Sequence, residues 1–250
     1  MDALTGSAAG AQVRTVDAGR GVAWWSEAWA LFMKAAGLWI VLAIVLIIIF
    51  VVLSFIPILG GLALALVLPV FVGSWMLAAR KVEQGGTLEV GDLFSCFQGE
   101  RLTPLLILGA LVLAAGIVIG IVVGALGMGA VFGGVASGMA GSGGGLMASL
   151  GAGMLALLAG LVLGLLLTMA TWFAPALVVF DGVAPVDAVK ASFAASLKNI
   201  GAFIVWSLLY LVAAFVASIP FGLGWIVLAP LVLLTAYIAY KDIFGATPAT

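Results

Sequence analysis

Side chains able to do chemistry are scarce in this chain. It has no histidine and one cysteine, Cys96. That excludes histidine-dependent zinc centres, haem ligation by imidazole, Ser-His-Asp triads and an internal disulfide. Carboxylates remain, and two of them held close together could divide general acid and base work. The candidates are Asp92, Glu100, Asp181 and Asp187. Asp181 and Asp187 stand six apart with Pro185 between them, a spacing that reads as a turn acid and a first-turn helix acid, not a catalytic pair. Met128, Met139 and Met147 could offer thioethers to a soft metal, but their spacing is irregular and no His or Cys accompanies them. No GxxxxGK[ST] or GxGxxG run follows a strand-like segment. The expectation is a protein that is not an enzyme, with no catalytic, cofactor-binding or metal-binding residues.

The elements that would position these groups are set by composition. The chain has 250 residues, 66% of them hydrophobic and 34 of them glycine, and only 8% carry charge. A soluble surface needs about a quarter of its residues charged. This is the composition of an integral membrane protein. A net charge of -1 without a basic patch also predicts no nucleic-acid partner.

Charged residues fall in four zones: the N-terminus to Lys34, Arg80 to Arg101, Asp181 to Lys198, and Lys241 with Asp242. The uncharged tracts between them are 45, 79 and 42 residues long. One crossing takes about 20 residues, so each tract holds two. All nine Lys and Arg then lie on one side, which the positive-inside rule makes cytoplasmic. The reading is six transmembrane helices in three hairpins, N-in and C-in, over approximately residues 38–56, 62–79, 104–123, 154–180, 201–219 and 225–240. Residues 1–20 read as a disordered cytoplasmic tail and the last few residues likewise. Residues 21–244 read as a single domain, with 124–153 as a glycine-rich extracytoplasmic loop.

A short amphipathic helix precedes each hairpin, marked by Trp25, Ala28, Trp29 and Phe32, by Val90, Leu93, Phe94 and Phe97, and by Val186, Val189, Phe193 and Leu197. Such helices are expected to lie in the membrane interface. The first and third hairpins also match in their prolines: Pro57, Pro69 and then Arg80 against Pro220, Pro230 and then Lys241. This internal repeat is a feature of transporters with midplane sites, but duplicated hairpins kinked by proline produce it too. No charged residue lies within a span. The hydroxyls available there are Ser54, Ser74, Thr168, Thr171, Ser207, Ser218 and Thr235, and helical hydroxyls usually return to their own backbone. Gly116, Gly120 and Gly124, with Gly160 and Gly164, read as the contact within the central hairpin, with an oligomer contact as the rival. The eight tryptophans read as an interfacial belt and Cys96 as a packing residue.

The run Thr171-Trp172-Phe173-Ala174-Pro175-Ala176-Leu177 carries a resemblance. With it go Asp181-Gly182-Val183-Ala184-Pro185-Val186-Asp187-Ala188, Lys190-Ala191-Ser192-Phe193 and Lys198-Asn199. Together with Tyr237-Ile238-Ala239-Tyr240-Lys241-Asp242-Ile243-Phe244, and the elements Ala30-Leu31-Phe32 and Asp92-Leu93-Phe94, it resembles an uncharacterised family of proteobacterial polytopic inner-membrane proteins. The likeness runs over most of residues 22–244. It implies a helical protein distantly similar to three-hairpin membrane domains of unknown function, in the bacterial inner membrane, and no catalytic residue to carry over. The function expected is structural or accessory, through membrane lipids and a membrane-protein partner or homo-oligomer. The alternative is a permease or channel for an uncharged or lipid-like solute.

Overall fold

The computed structural model of the chain describes residues 13–139 and 143–245. The described residues are helical, with no strand. In order they form α1 (Arg20–Met33), α2 (Ala36–Ser54), α3 (Leu59–Glu83), a 3₁₀ helix (Val90–Phe97), α4 (Leu102–Met139), α5 (Gly143–Thr171), α6 (Ala174–Asp181), α7 (Pro185–Lys198), α8 (Ile200–Ser218) and α9 (Trp225–Phe244). Six stretches are long and apolar enough to cross a membrane, at the positions expected from the uncharged tracts. The protein is a multi-pass membrane protein.

The core lies around α3 and α9. In their most apolar stretches 50% and 61% of residues are buried, against 11% and 6% in the fourth helix and the fifth. Much of the core near the charged ends of these helices is aromatic. Trp39 and Trp75 are fully buried with ring centroids 5.2 Å apart, and Trp172 meets Trp206 edge-on at 4.8 Å. Trp24 is fully buried as well. For these rings the interfacial-belt expectation fails, because inter-helix packing at this level uses them as filling. Trp29, 49% exposed, still fits it.

Three boundaries differ from the sequence expectation. The disordered tail assigned to residues 1–20 is part of the fold from Val13 onward. The Arg14 N–H donates to the Ile243 carbonyl at 2.8 Å, and Asn199 bridges to the same segment, its Nδ2 donating to the Arg14 carbonyl and its Oδ1 accepting from the Val16 N–H. Residues 1–12 and 246–250 lie outside the described residues. The loop expected over 124–153 is helix on both sides of residues 140–142, which also lie outside the described residues. Glycine costs about 1 kcal/mol per residue in a helix in water. Where no water solvates the backbone, leaving its amides unpaired costs more, so the apolar Gly/Ala/Val/Met sequence stays helical.

The span expected over 154–180 is broken at Trp172 and Phe173. Pro175 has no N–H to donate to Thr171, and its ring crowds that carbonyl, so α5 stops there and α6 restarts. The central glycine stripe also behaves differently. A Cβ added at Gly116, Gly120 or Gly124 would meet nothing within 4 Å. Of the expected set only Gly160 faces the neighbouring helix, at Val123 of α4, and the closer approach of α4 to α5 is at Gly134 beside Ser149.

Candidate functional site

Charged and polar groups gather where the ends of α3, α6 and α9 meet the start of α1. Asp242, at the end of α9, accepts from Arg20 Nε at 2.5 Å and from the buried Trp24 Nε1 at 2.9 Å. Arg20 reaches Glu27 as well, at 2.9 Å, and the Asp242 hydrogen bond holds the Arg20 guanidinium above its ordinary pKa. One turn away Glu83 pairs with Lys241 and accepts from the Tyr237 hydroxyl at 2.7 Å. The Tyr240 hydroxyl donates to Asp181 at 2.7 Å, and Arg80 lies 4.5 Å over the Phe180 ring. Apart from Arg20–Glu27, which lies within α1, these contacts run between different helices. Their chemistry is that of clasps, in which charges are answered by partners from another element.

The four carboxylates that sequence alone offered as acids or bases are dispersed. Asp92 is spent on Lys81 at 3.0 Å and on the Glu89 N–H at 2.8 Å, closing the reciprocal cap of the 3₁₀ helix. Asp187 pairs with Lys190 on an exposed turn. Only Glu100 and Asp181 come together, lining one cavity of about 640 Å³ with Arg101, Pro104, Phe180 and Pro185. No three His, Cys, Asp or Glu among the described residues are placed to hold a metal ion.

The hydroxyls follow the expectation closely. Ser54, Ser74, Thr168, Thr171, Ser218 and Thr235 each donate to a carbonyl three or four residues earlier. Three of them also link helices: Ser74 accepts the Cys96 N–H at 3.0 Å, Thr235 accepts Trp206 Nε1 at 2.9 Å, and Ser218 accepts Trp225 Nε1 at 3.3 Å. Ser74 and Thr235 are fully buried.

Sequence reasoning missed the role of Ser192 and Ser196. Both lie on the buried face of α7 with Ala188 and Ala195, while Val186 and Leu197 of its apolar stripe point outward, about half exposed. The Ser192 hydroxyl donates to the Met169 carbonyl at 2.8 Å and accepts the Phe173 N–H at 3.0 Å. It therefore sits inside the helical hydrogen bond that Phe173 would otherwise make to Met169. Ser196 donates to the same carbonyl at 3.1 Å. The available signal was two serines four apart opposite a helix already known to contain Pro175.

Two apolar recesses lie beside this end. One of about 300 Å³ lies between α5, α7 and α8, lined by Leu165, Thr168, Trp172, Ser196 and Phe203. A wider one follows α1, α8 and α9 past Trp25, Trp29 and Pro220.

Cys96 is fully buried beneath Ser74, and burial pushes its thiol pKa up. It should stay protonated and inert at neutral pH. Maleimide is expected to leave Cys96 unmodified in the native protein and to label it after denaturation in SDS. Rapid native labelling would contradict this packing.

No family model, curated protein or solved structure matches the chain.

Proposed function

We propose that this chain is a structural or accessory protein of a bacterial inner membrane, acting through lipid and membrane-partner contacts. The observation that carries the reading is the state of its would-be midplane. Pro69 and Pro230 are buried in the two central helices, and the nearby Ser74 and Thr235 are both fully buried with their hydrogen bonds spent inside the protein. A solute path would need such groups turned toward a cavity. Here they fasten α3 to the 3₁₀ helix and α9 to α8. Proteoliposomes are expected to show no faster swelling than empty vesicles with uncharged solutes of graded size. A protein-dependent rate would favour the permease reading, for which the recess between α5, α7 and α8 is the supporting observation.

The reading includes an N-in, C-in arrangement with α1, the 3₁₀ helix and α7 in the cytoplasmic interface. The support is the positive bias together with the outward-facing Val186 and Leu197 on α7. Reporter fusions after Arg101 and Lys198 are expected to report the cytoplasm, and fusions after Gly61, Gly144 and Gly222 the opposite side. A cytoplasmic signal after Gly144 would reject the six-span arrangement.

A further inference from the structure

The cavity at the starts of α4 and α7 differs from the other two recesses in being lined by charge as well as by apolar walls. Residues 98–104 supply Glu100 and Arg101 to one side, and residues 178–185 supply Asp181 to the other. The Arg101 guanidinium is tethered by a long bond, 3.4 Å, from Nε to the Val179 carbonyl, and no carboxylate among the described residues pairs with it. Asp181 has its Oδ2 occupied by Tyr240, and its Oδ1 makes no bond among the described residues. Glu100 is exposed and makes none either. Three charges therefore face one volume of about 640 Å³ with their opposite-sign partners missing.

The signs select the ligand. An anion alone would satisfy Arg101 but face two carboxylates, and a cation alone would leave the guanidinium unanswered. A molecule carrying a phosphate and a primary ammonium a few bonds apart answers all three. The walls supplied by Val178, Val179, Phe180 and Pro104 suit the apolar part of the same molecule. We propose that this cavity binds the phosphoethanolamine headgroup of a membrane phospholipid, with Arg101 on the phosphate and Glu100 and Asp181 on the ammonium. The site rests on the lipid-contact reading above and gives it a headgroup preference.

The test uses the full chain in nanodiscs of equal parts phosphatidylethanolamine, phosphatidylcholine and phosphatidylglycerol, with retained lipid identified by native mass spectrometry after release. Phosphatidylethanolamine is expected in about tenfold excess over the other two, the discrimination of one charge-assisted hydrogen bond. Phosphatidylcholine has the same charges but no N–H to donate, so it separates recognition of the ammonium from recognition of net charge. Asp181→Asn and, on the exposed loop where folding is not at stake, Glu100→Gln should each bring the excess toward unity while total retained lipid is unchanged. Arg101→Gln removes the contact to the phosphate that all three lipids share, so it should lower total retained lipid about tenfold and leave the ratio as it was. Equal retention of the three lipids by the unaltered protein, an undiminished excess in the two carboxylate variants, or undiminished retention in Arg101→Gln overturns the site. Loss of all retained lipid from the unaltered protein would instead count against the lipid-contact reading itself. Saturating soluble phosphoethanolamine separates the sources: retention in its presence assigns the intact lipid, and full displacement overturns the lipid as the ligand in favour of the free headgroup.

Discussion

Replacing Gly109 with valine is expected to detach α4 from α3 and to cost about 3 kcal/mol or more of stability. A Cβ at this position would fall 2.2 Å from the Leu66 carbonyl oxygen and 2.8 Å from the Leu66 Cα. Both are backbone atoms, so no rotamer change relieves the clash. The neighbouring contact, where a Cβ on Gly73 would fall 3.0 Å from the Leu105 side chain, would open with it. Gly116→Val and Gly120→Val supply the comparison, since nothing lies within 4 Å of either added carbon. These should change stability by no more than about 0.5 kcal/mol. Unfolding in mixed micelles, followed by tryptophan fluorescence, measures all three. Equal losses at 109 and 116 would mean that the stripe at 116–124 packs inside the protein after all.

The second large effect is expected at Ser192. Changing it to alanine leaves the Phe173 N–H without an acceptor in a fully buried position, at a cost of about 1–3 kcal/mol. Ser196→Ala should cost less, because Ser192 still donates to Met169. In the double variant the Met169 carbonyl loses both donors, so the combined loss should exceed the sum of the single ones. The same mixed-micelle unfolding reads this out. Strict additivity with a small Ser192 effect would show that the break between α5 and α6 does not depend on the serines.

Both effects were only half legible in the sequence. The uncharged tracts gave the number and rough extent of the long helices, because the cost of charge in hydrocarbon leaves its mark on every residue of a span. Pro175 was visible, but its consequence was not. Whether a proline kinks a helix or ends it depends on what receives the freed backbone groups, and here the receiver is Ser192, seventeen residues later. Helical glycines were visible as well, yet spacing alone cannot say which face a neighbour occupies. Gly109, a position where the backbones of two helices touch, lies outside the glycine stripe that the spacing marks. The carboxylates show the same limit. Sequence order set Asp181 beside Asp187, whereas folding sets it beside Glu100 and under Tyr240.

The unequal lengths of the helices have a mechanical consequence. The apolar stretch of α4 covers 35 residues, about 52 Å of helix, whereas α2 and α8 have 19 residues each, about 28 Å. No bilayer has one hydrocarbon thickness matching both. A membrane near 30 Å fits the short helices and forces the long pair to lean or to thicken the lipid around it. The pair is held to α3 by its first turns, at Leu105 and Gly109, and is free beyond them on the side of Gly116, Gly120 and Gly124. It is therefore a lever pivoted near one end, whose tilt is set by the thickness of the membrane around it.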